Sequence, residues 1–553
     1  MLQRTRLENP GRFGRLGFLR LSLLAGGTLL IGCAVGPKYH PPAFQRQGSF
    51  PASFNGDRSV PSTAATTQPS AAPNATPVDL SVWWRSLNDA ELNSLVNRTV
   101  AANYDLRMAV TRLQQAREVE YAVGGGVVPG LGGAESGVDF AAGAGRGSGT
   151  NSIRSRVGGP LYAGTNTQGL KEITHVFGFD AGWEFDLFGR YTHMIEAAQA
   201  DAQAAYEFRN DVLISVVADV VRAYIDVRSL QLRLEIAREN AAAEQRTLQL
   251  VTGRFKHGLT NDLDVVLSER QLSSTLSRIA PLEAAVAAAE RRVAVLTGQY
   301  PEALRTELET AHPLPATPPR VGPGMPVGLL RRRPDIRQAE RMLAGATARV
   351  GVATANLFPT VSITGGIGFQ GQGLGRTPVT NSMIWSVGPS LYWPFLDFGQ
   401  LDAMVKVADY QTQQMYWNYQ KTVVSAVQEV DNALTNYAAQ QENLAQLGAA
   451  VASSRKAVKL ATGRYENGLT DFLNVLDAQR QLFDLEDQLA VSQQSVVYEF
   501  VAVYKSLGGG WEGYEAPPPA AVPVPAILAA AKETLGKSNR VPRAAASDIH
   551  GRP

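Results

Sequence analysis

The chain repeats itself. Residues 250–272 read LVTGRFKHGLTNDLDVVLSERQL and residues 460–482 read LATGRYENGLTDFLNVLDAQRQL, in register without a gap at an offset of 210. The same offset lays Trp183-x-Phe185-x-x-Phe188-Gly189 on Trp393-x-Phe395-x-x-Phe398-Gly399. Upstream the offset becomes 230, pairing Asp105 with Asp335, Ala116 with Ala346 and Pro129 with Pro359. The first copy therefore carries about 20 extra residues between Pro129 and Trp183, where the Gly/Ser-rich tract Gly143–Pro160 has loop chemistry. Self-similarity at a fixed period marks a repeated structural unit. The 553 residues, which by length alone suggest several domains, read as one unit written twice.

Each unit reads helix, strand pair, long helix, turn, helix. Tyr191–Lys256 contains no proline and is rich in Ala, Gln, Glu, Arg and Leu, all strong helix formers. About 65 residues rising about 1.5 Å each make a rod of about 100 Å. Such a length implies a coiled coil rather than a globular core. Gln400–Tyr465 repeats the feature. The steps His257-Gly258 and Asn467-Gly468 fit C-terminal caps, and Thr260 and Thr470 are expected to cap the returning helices. Each copy thus contributes an antiparallel helical hairpin with its tip at Gly258-Leu259-Thr260 or Gly468-Leu469-Thr470.

The strands carry the opposite period. Val361, Ile363, Ile367 and Phe369 alternate with Ser362, Thr364, Gly366, Gly368 and Gln370. Trp385, Val387, Leu391, Trp393 and Phe395 form a second apolar set, and Phe177, Phe179, Trp183 and Phe185 a third. Alternation over about ten residues with aromatics at the ends suits a transmembrane β-strand. Four such strands are too few to close a barrel, whose minimum is about eight. Three copies of the chain would supply twelve strands and a closed wall. In that wall Asp180, Glu184, Ser362 and Gln370 lie opposite the apolar stripe, as a polar lumen requires.

Composition closes off several functions. The formal charge of +2, from 52 basic and 50 acidic residues, argues against a nucleic-acid binder. No apolar stretch reaches the roughly 18 residues of a transmembrane helix. The six histidines, at positions 40, 175, 193, 257, 312 and 550, show no metal-ligand spacing, and the eight methionines form no cluster. Gly124-Gly125-Gly126 lacks the Lys-Ser/Thr of a phosphate loop and reads as a flexible entry to the strands. Arg331–Arg333, ahead of the helix start Pro334-Asp335, read as a solvated basic collar. No catalytic constellation, metal site or cofactor motif emerges, so an enzyme has no support.

A single cysteine excludes an internal disulfide. It sits at the end of a basic leader (Arg4, Arg6, Arg12, Arg15, Arg20) and a short apolar run, Leu21–Ile31. Leu30-Ile31-Gly32-Cys33 resembles a bacterial lipobox, which implies a covalent lipid on Cys33. Ala34, rather than Asp, favours the outer membrane by resemblance to sorted lipoproteins. The organisation is then a signal peptide over 1–32, a lipidated extended segment over 33–82, and a first repeat over 83–298. A linker over 299–325, a second repeat over 326–511 and a Pro/Ala-rich tail over 512–553, expected to be disordered, complete it.

Taken together the motifs resemble the TolC family of outer membrane factors, in its lipoprotein branch that serves proton-driven RND-type efflux pumps. They are Cys33–Pro42, Trp83-Trp84 before Asp89, Leu330-Arg-Arg-Arg-Pro-Asp-Ile336 with Ala339-Glu340, and Leu507-Gly-Gly-Gly-Trp511. The resemblance implies an α+β membrane protein and a homotrimer. Its twelve-stranded barrel, four strands per chain, would stand in the outer membrane, continuous with a twelve-helix tunnel in the periplasm. It implies a passive exit duct for small molecules, partnered with a periplasmic adaptor and an inner-membrane pump. Leu473 and Asp477 would ring the closed periplasmic aperture, Asp477 as a cation-attracting constriction. Arg480 is placed for an i,i+3 contact with Asp477, and Arg464 and Tyr465 would latch the closed tip. Leu267 stands where the second copy has Asp477. Two other readings stay open: the outer component of a type I protein secretion system, and a lipid-anchored envelope coiled coil without a channel.

Overall fold

The structure is a computed structural model, and it describes residues 34–42, 79–125, 137–147, 172–315, 332–374 and 377–514. Cys33, the leader and Arg331 lie outside the described residues, as does the tail from residue 515. The elements run α1 (Ala90–Ala102), α2 (Tyr104–Gly125), β1 (Gly137–Gly147), β2 (Glu172–Phe185), α3 (Arg190–Lys256) and α4 (Asp262–Leu296). They continue with a one-turn α5 (Arg305–Leu308), α6 (Pro334–Ala355), β3 (Thr360–Leu374), β4 (Thr377–Tyr392), α7 (Gln400–Glu466) and α8 (Phe472–Ser506). The long helices α3 and α7 have 67 residues each and their returning partners α4 and α8 have 35 each. Among the described residues no helix is long and apolar enough to cross a membrane.

Local chemistry explains the boundaries. Asp89 opens α1 by accepting from the Leu92 amide at 2.9 Å. Gly189 and Gly399 precede the two long helices at φ +81° and +85°, a left-handed turn that a side chain would strain. Pro334 starts α6 at its first turn, where a missing N–H costs nothing. Gly124 and Gly125 are not a flexible entry: they are the last turn of α2. The extra residues of the first copy fall between β1 and β2, at 148–171, outside the described residues.

The main core sits at the waist, where α1, α3, α4, α6, α7 and α8 meet. Trp83 stacks on Tyr504 at 5.6 Å and Trp84 on Tyr514 at 6.3 Å. The glycines of the 507–511 motif let these aromatics close: a Cβ on Gly509 would lie 2.8 Å from the Leu80 carbonyl. Residues 512–514, placed at the head of the tail by composition, belong to this clasp, since Tyr514 also donates to Asn97 at 2.8 Å. Arg333 is no part of a solvated collar. It is 7% exposed and donates to Asp335 (2.8 Å), Glu429 (2.7 Å) and the Ser506 carbonyl (2.7 Å), tying α6, α7 and α8 together. Burying a guanidinium is tolerable only with such partners. Arg228 plays the same part for α3, fully buried and bound to Glu91 at 2.5 Å and the Thr310 carbonyl at 2.6 Å.

Candidate functional site

Two regions bear on function: the sheet and the hairpin tips. The four strands form one antiparallel sheet in the order β1-β2-β3-β4. The register places Phe179, Trp183, Ile363, Ile367, Trp385 and Leu391 on one face, because Phe179 pairs with Ile367, Trp183 with Ile363 and Ile367 with Trp385. That face is uncovered: Trp385 is 69% exposed, Leu391 67% and Ile367 51%. Large apolar side chains in a contiguous sheet face need a nonaqueous neighbour. The strands, 11 to 16 residues long, are long enough to cross a bilayer, which takes about 9–11 residues.

The opposite face is mostly polar or bare, with Ile384 and Tyr392 as exceptions on β4. Ser362 and Ser390 share a hydrogen bond of 2.7 Å, flanked by Thr364, Gly366, Ser386 and Gly388. Glu184 lies on this side but does not stand free in it. Arg190, at the start of α3, holds its carboxylate with bonds of 3.1 and 2.7 Å, so the pair fastens strand to helix. The side chains of Asp180 and Gln370, expected in the lumen, lie outside what is described. The strand feet carry aromatic pairs in both copies, Trp183–Phe185 at 4.3 Å and Trp393–Phe395 at 5.9 Å. Such rings suit a membrane–water interface.

At the far end the two tips are built alike. Gly258 and Gly468 take φ +70° and +71°. Leu259 N–H reaches back to the Arg254 carbonyl at 2.9 Å and Leu469 N–H to that of Arg464 at 2.8 Å, the six-to-one bond of a Schellman cap. The N-caps of the returning helices are one residue later than expected: Asn261 and Asp471, not Thr260 and Thr470. Asn261 accepts from the Asp264 amide at 3.1 Å. Both threonines instead bond side chains one turn on, Thr260 donating to Asp264 and Thr470 accepting from Asn474 at 2.8 Å. Leu259 and Leu469 point to solvent, 64% and 67% exposed.

The gate candidates divide. Leu473 (58% exposed), Asp477 and Arg480 form an exposed stripe at four- and three-residue spacing on α8. Asp477 does not pair with Arg480; it accepts from Gln481, one turn further on, at 2.8 Å. Tyr465 is buried, 5.5 Å from the Phe472 ring, in a small core with Val251, Val475 and Leu476. Leu267, the counterpart of Asp477, packs against this core. Arg464 is exposed. The arginine that ties the tips is its repeat-mate Arg254, which stacks 4.8 Å over Tyr465 and donates to the Glu466 carbonyl at 2.8 Å. Pairing the two copies position by position would have pointed to it. Gln479 adds a second tie, donating to Thr247 of α3 at 2.9 Å.

Among the described residues no cluster of three or more His, Cys, Asp or Glu side chains could hold a metal. The site is a wall with two chemically different faces, joined through long rods to a tied tip that exposes leucines.

Known proteins share this plan. The model of the outer membrane efflux protein family matches residues 95–299 and 325–509. Nodulation protein T of Rhizobium leguminosarum bv. trifolii is 29% identical over 497 residues, spanning 89% of this chain and 98% of the relative. Cation efflux system protein CusC of Escherichia coli O6:H1 is 27% identical over 486 residues, 87% of this chain and 97% of that protein. Among solved structures the outer-membrane channel OprN superposes with a TM-score of 0.72 at 34% identity, covering 87% of this chain and all of that one.

Proposed function

The chain belongs to the outer membrane efflux protein family, and from that premise we propose how its geometry makes a duct. It is an efflux channel of the outer membrane, with its helices in the periplasm. Three chains join edge to edge, β4 of one against β1 of the next, to close a twelve-stranded barrel. The observation that carries this is the sheet itself. Among the described residues it has an exposed apolar face, a more polar opposite face and two edge strands, β1 and β4, that pair on one side only. Unpaired edges demand partners, and closure alone satisfies every backbone group in a bilayer.

The helical hairpins continue the wall below the membrane and meet at the tips, where the duct is gated. Leu473 and Asp477 face the closed aperture, and three Asp477 carboxylates make a constriction that favours cations. Arg254 over Tyr465 holds the tip shut. A periplasmic adaptor engages the tips and an inner-membrane RND-type pump feeds the duct. The cargo is small molecules, and Cys33 carries the lipid. Planar-bilayer recording of the full chain tests this reading. The expected result is low, cation-preferring conductance that rises when Asp477→Ala removes the ring. No conductance from either form would overturn it.

A further inference from the structure

A buried guanidinium is destabilising without an anion beside it. Among the described residues three arginines are buried, and two of them have carboxylates: Arg228 binds Glu91, and Arg333 binds Asp335 and Glu429. The third, Arg209 on α3, is 9% exposed and donates to the neutral amide of Asn210 at 2.9 Å. The acids beside it in the chain are engaged elsewhere. Glu207 pairs with Arg337 at 2.6 Å, and Asp211 lies near Asp335, Lys505 and Arg333. Burial lowers the pKa of Arg209, with Tyr206 opposing the shift.

Arg209 lines a cleft of about 700 Å³ together with Arg107, Val100, Leu106, Val110 and Tyr514. None of the described side chains that line it is acidic. Arg107 is exposed and lies 5.9 Å over the Tyr104 ring rather than against a carboxylate. The walls are fixed: Asn103 caps α2 at the Leu106 amide (3.1 Å) and donates to the Leu296 carbonyl (2.9 Å), and Tyr514 donates to Asn97. Thr111, also in the lining, directs its hydroxyl hydrogen to the Arg107 carbonyl at 2.8 Å. Guanidinium N–H groups are therefore the side-chain donors left to the cleft, beside an apolar floor.

The second copy shows what such a groove holds. Val110 and Thr111 correspond to Glu340 and Arg341 at the offset of 230, and Arg209 to Tyr419 at 210. Those mates gather around the Tyr39 side chain. Its hydroxyl reaches Glu340 at 3.4 Å, Arg341 lies 5.9 Å over its ring, and Tyr419 is close enough to raise its pKa. There Arg341 is neutralised by Glu340 at 2.6 Å. In the first copy a valine stands for the acid and a guanidinium for the phenol, and among the described residues the groove is open.

We propose that the cleft between α2 and α3 binds a small aromatic carboxylate. The ring takes the place that Tyr39 has in the second copy, against Leu106 and Val110, and the carboxylate accepts from Arg209, with Arg107 at the rim. A planar guanidinium fork matches a carboxylate in shape as well as charge. No residue assigned to the gate lines the cleft, so the site stands apart from the duct.

Calorimetric titration of benzoate into the full chain in mild detergent is the test, with circular dichroism confirming that each variant is folded. Saturable binding is expected. Benzyl alcohol, which keeps the ring without the charge, and inorganic phosphate, which keeps charge without the ring, are expected to bind about tenfold or more weakly. Arg209→Gln, which retains an amide donor toward Asn210, is expected to weaken benzoate about tenfold to hundredfold. Val110→Glu gives the first copy the acid that its mate Glu340 carries, and is expected to abolish binding. Arg341→Gln, at the same level of the second copy, is expected to leave it unchanged. Should Arg209→Gln fail to fold, Val110→Glu and the exposed-rim variant Arg107→Gln, expected to weaken benzoate severalfold, decide the matter. Absence of saturable binding, phosphate or benzyl alcohol binding at least as tightly as benzoate, or benzoate affinity unchanged in the folded variants of the cleft would overturn the proposal.

Discussion

The two long hairpins have equivalent sequences and equal lengths, yet they live in different surroundings. Along α3, buried positions run from Tyr191 to Val251. Along α7 only Ala408, Tyr419, Ala426, Val430, Ala433, Tyr437, Val451 and Tyr465 are buried. Repeat-mates make the contrast concrete. Ile214 is 4% exposed and Val424 66%; Ala200 is 7% exposed and Tyr410 61%. Phe188 stacks on Phe358 at 4.7 Å, whereas its mate Phe398 is 98% exposed. One unit finds its cover inside the chain, from α2, α6 and α8. The other packs against α6 and α8 but, among the described residues, leaves Tyr410, Trp417 and Val424 uncovered. The same pattern twice, covered once, fits the proposal that another copy of the chain covers the second.

That contrast can be broken first at α7. Val424→Asp is expected to abolish the heat-resistant trimer on gels and the bilayer conductance, while circular dichroism still reports folded helices. Ile214→Ala, the mate on α3, should act inside the protomer instead. It is expected to cost about 2–4 kcal/mol, read as a lowered denaturant midpoint with oligomeric state retained. Loss of the trimer in I214A but not in V424D would invert the account.

At the tips the copies differ by a tie and by a charge. Removing the tie with Arg254→Ala is expected to raise uptake of large antibiotics severalfold, more than Arg464→Ala does, because Arg254 alone of the pair stacks on Tyr465. Susceptibility and leak conductance measure this. Equal effects of the two variants would remove the distinction. Asp477→Leu gives the second copy the side chain its mate Leu267 carries, and is expected to lower cation preference about twofold to threefold by reversal potential, with little effect on stability.

The smallest effect concerns a carboxyl that only the first hairpin buries. Burial pushes the Glu244 carboxyl up, despite hydrogen bonds from Gln271 at 2.9 Å and Thr275 at 3.0 Å. The folded chain then holds this proton more tightly than the unfolded one. Its contribution to stability is present at acid pH and is lost as pH rises through the raised value. Glu244→Gln is therefore expected to raise the melting temperature by a few degrees at about pH 8 and to leave it unchanged at about pH 4. An equal shift at both would point to packing rather than titration.

Much of this was legible in the residues because it follows local rules. The Gly258 and Gly468 caps, the helix lengths and the strand alternation all follow from backbone geometry and period. The errors share a cause. Thr260 and Thr470 each precede another good capping residue, Asn261 or Asp471, and only the path of the chain chose between them. Arg333 looked solvated because its carboxylates lie 2 and 96 residues away, on α6 and α7. Arg480 was matched to Asp477 by spacing, but Gln481 took the carboxylate. The Val35 carbonyl meets His193, 158 residues along the chain, beyond any local rule.

The central claim is that the bare face of α7 is covered by another copy. Native mass spectrometry of the full chain extracted from membranes in mild detergent tests it most directly. The account predicts three chains per particle for the natural protein and single chains for Val424→Asp. A natural protein that leaves the membrane as single chains, indistinguishable from that variant, would contradict it.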